Sequence, residues 1–480
     1  MRHSGATLLK ALLTALILLG ASACAVGPDY KRPVFETTAA YKEQGDWKPS
    51  EPEDTLSRGP WWHIFNDPVL DGLEQQVNVS NQNLKAAEDA YLQARALVDQ
   101  ARAGFWPTIA ANVSRQFGEP VAGASTVSLN SAGASADWQI DIWGQIRRTV
   151  ESDVASAQAS DAAVAAARLS AQATLAIDYF ELRAQDSLKT LLDDTVLDEQ
   201  RSLQITQNRY GFGVAAKADV VTAQTQLLSS QASQVNVAIA RAQYEHAIAV
   251  LIGQQPASFA LPAEALRTDV PTAPTGLPST LLERRPDVAQ AERKMAAANA
   301  QIGIARAAYF PNLTLSGSLS YTSDTLSRLL TAPNRVWAVG PALAETVFDG
   351  GLRRAQVAQA RAAYNVSVDG YRQTVLSGLQ QVEDNLVTLR VLEQQAGIEE
   401  ATVAAAHEAE RLTLNQYTAG TVPYTSVITA QTTTLASEQT ALTVLLNRLT
   451  ASVSLIEALG GGWHATQLHS AERPFRSTSR

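Results

Sequence analysis

The feature that most constrains the fold of this chain is an internal repeat, with a period of a little over 200 residues. Three stretches of the first half recur in the second half in the same order. They are ARAGFWPTIAANVS from Ala101 and ARAAYFPNLTLSGS from Ala305, WGQIRRTVESDVASAQA from Trp143 and DGGLRRAQVAQARAA from Asp349, and RYGFGVAAKADVVTAQ from Arg209 and QYTAGTVPYTSVITAQ from Gln416. Each half is therefore expected to be one copy of the same structural unit.

Each copy has the pattern helix, two strands, long helix, turn, helix. The long helices are predicted over residues 145–210 and 352–417, since neither stretch contains proline. At 1.5 Å per residue each would run for about 100 Å. The flanking helices, the first predicted over 69–104, are each about half as long. Two flanking helices stacked end to end would match one long helix, which indicates a cylinder.

The strands between the helices alternate apolar and polar residues. In PNLTLSGSLSYT, for example, Leu313, Leu315 and Leu319 share one face and serines occupy the other. Strands of about ten alternating residues with aromatics at their ends are typical of outer-membrane barrels, although a half-buried soluble sheet alternates in the same way. The fourth strand is the weakest prediction, because Pro341 lacks an amide donor and Glu345 falls on the apolar side.

Four strands are too few to close a barrel alone. The smallest membrane barrels have eight strands, and an open edge in lipid would leave backbone groups without hydrogen bonds. We therefore expect an oligomer. Two chains would supply eight strands and three would supply twelve, and the residues by themselves do not choose between these.

The N-terminus predicts export and a lipid anchor. Arg2 and His3 precede an apolar run over 8–19 and small residues over 20–23, which is the layout of a signal peptide. Cys24, the one cysteine of the chain, follows at the cleavage point and resembles the acylated cysteine of a bacterial lipobox. The resemblance to lipoproteins also implies the outer membrane, because the second mature residue would be Ala25 and not the aspartate that by the lipoprotein family rule tends to keep such proteins in the inner membrane. The alternative is an ordinary signal peptide with an incidental cysteine. After the signal peptide the sequence contains no run of 18 apolar residues, so it predicts no helical membrane span there.

Composition and motifs argue against several classes of function. The formal charge of -9 disfavours a nucleic-acid partner. One Cys, two Met and six scattered His give no metal-ligand pattern. The sequence has no phosphate loop, no GxSxG elbow and no HExxH pair, so we expect neither an enzyme nor a cofactor. A structural coiled-coil lipoprotein would share the helices and the anchor but not the four strands.

Together these motifs resemble the TolC-like outer-membrane factor family, in its lipoprotein branch of OprM and NodT type. The matching stretches are CAVGPDYKRP, WWHIFNDPVLDGLEQQ, GLPSTLLERRPDVAQAE and VFDGGLRRA. The resemblance implies a mixed α and transmembrane β-barrel protein, internally duplicated, that closes as a homotrimeric twelve-stranded barrel. That barrel is continuous with a periplasmic α-helical barrel, and the protein resides in the outer membrane.

The function implied by the resemblance is the exit duct of a tripartite efflux pump. Its partners would be a periplasmic adaptor and an inner-membrane transporter of the resistance-nodulation-division type, and its cargo small amphipathic compounds such as drugs. Metal ions or a secreted polypeptide are the alternative cargoes. The expected organisation is a signal peptide (1–23), a lipidated segment and collar (24–67), a first repeat (68–252), a proline-rich connector (253–283), a second repeat (284–460) and a tail (461–480).

The resemblance also places a periplasmic gate at the two helix turns. Asp219 and Tyr417 match the aspartate and the tyrosine of that gate, whereas Val422 stands at the position of its arginine. Closure is then expected to rest on hydrogen bonds and apolar contacts. The remaining candidates are Tyr210, Ser426 and Thr429 at the mouth and the turn glycines Gly213 and Gly420. The alternative is that the tyrosines only pack the turns and Asp219 only caps a helix.

Overall fold

A computed structural model describes residues 25–33, 38, 40–43, 60–119, 127–271 and 283–469. The predicted signal peptide, Cys24, part of the collar, part of the connector and most of the tail lie outside these residues. The described chain forms seven α-helices and one four-stranded sheet. In chain order they are α1 (Pro68–Ser80), α2 (Gln82–Ala103), β1 (Thr108–Gly118), β2 (Val127–Ile140), α3 (Gln145–Gly211), α4 (Lys217–Leu251), α5 (Pro286–Ala307), β3 (Asn312–Ser323), β4 (Arg335–Ala344), α6 (Leu352–Thr418) and α7 (Tyr424–Ala458).

The two long helices confirm the prediction to within a residue at each end. Both α3 and α6 have 67 residues, which corresponds to about 100 Å of helix. The same device begins each of them. The carboxylate of Asp141 accepts a hydrogen bond from the backbone of Arg147 (3.0 Å), and that of Asp349 accepts from the backbone of Arg353 (3.2 Å). An aspartate at a helix N-terminus satisfies free amides and suits the helix dipole.

The shorter helices stack end to end along the long ones, as predicted. The end of α4 meets the start of α2, where the side-chain amide of Asn81 donates to the carbonyl of Leu251 (2.8 Å). The end of α7 meets the start of α5 in the same way, because the guanidinium of Arg285 donates to the carbonyl of Ala458 (2.9 Å). Both stacks join a helix of 35 residues to one of 22. The two halves therefore share one architecture.

The prediction of one uninterrupted helix over 69–104 is wrong. The chain breaks between α1 and α2 at Asn81, whose backbone is extended. The side-chain oxygen of Asn81 accepts from the backbone N–H of Leu84 (3.0 Å), which caps α2, while its amide is held by the end of α4. The break is thus fixed by a contact with a residue 170 positions away, and local periodicity does not reveal it.

The sheet is antiparallel in the order β1-β2-β3-β4. The register brings apolar residues of all four strands to one face and mostly small or polar residues to the other. Apolar side chains that follow one another across the sheet are Val113, Ala132 and Tyr321 in one row, and Ala134, Leu319 and Trp337 in another. The opposite face carries Asn112, Ser114, Ser131, Ser135, Ser316, Ser318 and Ser320.

The fourth strand is formed despite its weak sequence signal. Pro341 lies inside β4 opposite Leu315, and Glu345 follows the last residue of the strand, so it is not part of the apolar row. Within the described residues β1 and β4 each pair with a strand on one side only, and every residue of β1 is exposed on both faces. The sheet has two open edges, as the oligomer argument requires.

Helix α7 is the one described helix that is long and apolar enough, by length and composition, to cross a membrane. Nearly half of its most apolar stretch is buried. It packs along α6 and α3, so its apolar character is accounted for by contacts within the helical bundle.

The main core lies where α1 packs on the middle of α3, and it contains a buried acid. Leu70, Leu73 and Val77 of α1 cluster with Leu175 and Tyr179 of α3. Glu74 sits in the same turn of α1, is fully buried, and neither of its carboxylate oxygens has a hydrogen-bond partner in the described chain. Burial, with a smaller contribution from the charge of Asp71, raises the pKa of Glu74 to about 9.

This buried acid makes stability depend on pH. Between about pH 4.5 and pH 9 the folded chain holds a proton on Glu74 that the unfolded chain releases, so stability falls as pH rises, by up to about 1.4 kcal/mol per pH unit. We expect Glu74→Gln to remove this pH dependence. The thermal midpoint of the variant minus that of the wild type should therefore increase as pH rises from 5 to 8. Glu400→Gln, on the exposed surface of α6, is the control and should keep the wild-type slope. Parallel pH profiles for Glu74→Gln and wild type would contradict the assignment.

Candidate functional site

The two helical hairpins end in short glycine-containing turns. The first turn joins α3 to α4 over residues 212–216, and the second joins α6 to α7 over residues 419–423. Gly213 and Gly420 have φ values of 72° and 80°, a left-handed conformation that glycine adopts at little cost. Each glycine donates to the carbonyl of the tyrosine three residues earlier, Tyr210 or Tyr417, at 2.9 Å. The repeated RYGFG and QYTAG motifs are therefore matching turn sequences.

A buried aromatic cluster holds the second turn against the first hairpin. The rings of Tyr417 and Tyr424 lie 5.2 Å apart, and both side chains are almost fully buried with Val427 and Ala223. The hydroxyl of Tyr417 approaches that of Thr206 on α3 at 3.4 Å, which is a long hydrogen bond. Burial raises the pKa of Tyr424 to about 12. Tyr424 is therefore neutral at physiological pH and packs as an aromatic side chain.

Arg209 is the site residue that sequence reasoning missed. Its guanidinium lies 4.7 Å from the ring centre of Tyr417 and donates to the carbonyl of Thr418 at 2.7 Å. An arginine over an aromatic face is a favourable cation–π contact. The second turn has Val422 where the family's gate has an arginine. Arg209 of the first repeat contacts this turn instead. The available signal was the mismatch between Arg209 and Gln416 in otherwise similar turn motifs.

Asp219 and Tyr210 lie within the first turn. The carboxylate of Asp219 accepts from the backbone N–H of Ala216 (3.3 Å) at the start of α4. Tyr210 is 45% exposed, with the ammonium of Lys217 5.5 Å from its ring centre. In the described chain the hydroxyl of Tyr417 meets Thr206 and not Asp219, so the structure does not bring the predicted aspartate and tyrosine into contact within one protomer.

Ser426 and Thr429 lie on the surface of α7. With Val422 they line a groove of about 410 Å³ between α6 and α7. The hydroxyl of Thr429 donates back to the carbonyl of Thr425, so it is satisfied within its own helix. Val422 also packs against the tyrosine cluster.

The segment that follows Cys24 is fixed where the sheet meets the long helix. The backbone N–H of Val26 donates to the carbonyl of Trp143 (3.0 Å). The buried guanidinium of Arg148 pairs with Asp29 (2.8 Å) and Glu151 (2.6 Å). Trp143 itself stacks on Phe310 with ring centres 4.7 Å apart. The residues next to Cys24 are therefore held beside the aromatic end of the strands.

Comparison with known proteins places the chain among efflux channels. The sequence pattern of the outer membrane efflux protein family matches residues 73–254 and 277–461. The probable efflux pump outer membrane protein TtgC of Pseudomonas putida is 29% identical over 98% of this chain and 99% of its own. The pyoverdine export outer membrane protein OpmQ of Pseudomonas aeruginosa is 30% identical over 95% and 97%. The solved structure of the outer-membrane channel OprN has a TM-score of 0.84 at 29% identity, covering 92% of this chain and all of that one.

Proposed function

The chain belongs to the outer membrane efflux protein family, and on this premise we propose that it is a passive duct for small amphipathic compounds. It forms the outer-membrane exit duct of a tripartite efflux pump, working as a homotrimer with a periplasmic adaptor and an inner-membrane transporter. The duct does no chemistry itself, and the transporter, which we propose to be of the resistance-nodulation-division type, supplies the energy.

The observation that carries this function is the exposed two-faced sheet at the end of two 67-residue helices. One face is apolar and suits lipid, while the other is polar and suits a wet lumen. Both edges are open, and three copies joined from β4 to β1 close them. The helices then continue the lumen into the periplasm. The two repeats, 68–252 and 284–460, supply two strands each to this wall.

Accumulation of cargo in cells tests the proposed cargo class. Deletion of the gene should increase retention of cationic and neutral amphipathic dyes and antibiotics, and the gene supplied on a plasmid should restore export. Retention of metal ions alone, with unchanged retention of every organic compound, would overturn the proposed cargo and favour a metal duct.

We propose that the periplasmic mouth is held shut by the contact between the two hairpins. Tyr417 and Tyr424 of the second hairpin pack on Ala223 of the first, and Arg209 reaches across to Thr418. These contacts would take the place of the ionic lock that an arginine at the position of Val422 would form. Asp219, Tyr210, Ser426 and Thr429 would line the mouth in the trimer.

The adaptor is proposed to engage the tips of the hairpins. Phe212 is 85% exposed and Val214 is 65% exposed in the first turn. Large apolar side chains grouped at a surface are typical of protein contacts. Binding there would act directly on the two turns that close the mouth.

The lipid anchor is proposed at Cys24. Residues 25 and 26 lie beside Trp143 at the end of β2, so an acyl chain on Cys24 would start at the membrane surface. We expect Cys24→Ser to abolish incorporation of radiolabelled palmitate, with Cys24 restored on the same plasmid as control. Palmitate labelling that persists in Cys24→Ser would contradict the anchor.

A further inference from the structure

A groove between the two hairpins lies next to the tyrosine cluster. It has a volume of about 720 Å³, within the range of about 300–1,000 Å³ that is usual for small-molecule sites. Its walls come from α3 of the first hairpin and from α6 and α7 of the second. A molecule in the groove would therefore touch both hairpins at once.

The walls of the groove carry an excess of acid. Asp198 is paired with Arg201 (2.8 Å), and Arg411 is paired with Glu408 outside the groove. Among the described residues, the other carboxylates of the wall have one ion-pair partner, His407, whose Nε2 lies 2.9 Å from Glu438; these carboxylates are Asp194, Glu199, Glu410 and Glu438. Burial raises the pKa of Glu199 and of Glu438, and the charge of Glu410 raises both further. These carboxylates are thus close enough to repel one another.

Two buried side chains of the groove have an unused acceptor. Glu199 is 3% exposed; its Oε1 accepts from Gln226 and Ser230 (both 3.0 Å), but its Oε2 has no partner in the described chain. Gln431 is 7% exposed and donates to Ser202 (3.0 Å), while its Oε1 is likewise unpartnered. Buried acceptors without a donor are costly and uncommon in native proteins. Both oxygens would be satisfied by a ligand that carries N–H donors and a positive charge.

Apolar side chains complete the groove. Leu191 and Ile205 of α3 face Leu414 of α6 and Leu435 of α7 across it. We propose that this groove is a binding site for an amphipathic organic cation, with its amine against Glu199 and Gln431 and its apolar body between the leucines. The site adjoins the tyrosine cluster, because Ile205 and Leu414 line the groove and also pack against that cluster, and the trimer would carry one such site in each protomer.

Ethidium, a planar cation with exocyclic amines, is a suitable probe for this site. The purified full-length trimer in nanodiscs should bind ethidium saturably, as measured by fluorescence anisotropy. Glu199→Gln should weaken binding about tenfold, the lower end of what a hydrogen bond to a charged group contributes. Glu410→Gln, at a half-buried position, should weaken binding severalfold through lost charge. Glu393→Gln removes one carboxylate from the exposed surface of the same helix α6 and should bind as the wild type does.

Gel filtration and thermal midpoints establish that each variant remains a folded trimer. Loss of affinity in Glu199→Gln and Glu410→Gln, with Glu393→Gln unchanged, would support the site. Equal ethidium affinity in all four proteins, or no saturable binding to the wild type, would overturn it.

Discussion

Leu319→Arg is expected to remove most of the trimer from the outer membrane. Leu319 lies near the middle of β3, on the apolar face of the sheet between Ala134 and Trp337, and is 45% exposed. An arginine facing lipid near the bilayer midplane costs about 2–4 kcal/mol. The trimer carries this cost three times. The measurement is the amount of trimer in outer-membrane fractions, resolved by semi-native gel electrophoresis.

Ser318→Arg is the matched control for this experiment. Ser318 is the neighbouring residue on the same strand and is also exposed, but it lies on the polar face. The same charge there points into the lumen, so the trimer should form in near wild-type amounts while ion selectivity shifts toward anions. A larger trimer loss for Ser318→Arg than for Leu319→Arg would reverse the assignment of the two faces.

Tyr417→Ala is expected to open the periplasmic mouth and raise single-channel conductance severalfold. The ring is 3% exposed, packs on Tyr424 and receives Arg209 from the first hairpin. Removing a buried aromatic side chain costs about 3–5 kcal/mol. Much of this loss destabilises the closed arrangement, because Tyr417 belongs to the contact that joins the hairpins. The open arrangement therefore becomes more populated. Planar-bilayer recordings of the purified trimer measure the effect.

Tyr210→Ala provides the control, because Tyr210 is the equivalent residue of the first repeat but is 45% exposed. Its conductance should stay near that of the wild type. Asp219→Ala should also change little, since the carboxylate of Asp219 bonds to its own turn. Tyr417→Phe keeps the ring and should remain closed. Equal conductance in Tyr417→Ala and wild type would show that the cluster does not hold the gate.

The sequence predicted those parts of the fold that are set by local pattern. The long helices were placed to within a residue because no proline interrupts them, and the strand faces followed from alternation. The break at Asn81 was missed because it depends on Leu251, which is distant in the chain. The capping role of Asp219 is one of the two alternatives that the sequence predicts. The contact of Arg209 with the second turn is not predicted, because its partners Tyr417 and Thr418 belong to the other repeat. Contacts between hairpins are tertiary, and the mismatch of Arg209 with Gln416 in the repeated turn motifs marks the position without naming its partners.

The rate at which cells expel a preloaded amphipathic dye tests the duct most directly. Cells lacking the gene should expel the dye slowly, and the wild-type gene should restore fast export. Ser318→Arg should still support export, whereas Leu319→Arg should behave like the deletion. Export that is equally fast in the deletion strain and in the wild type would contradict the account.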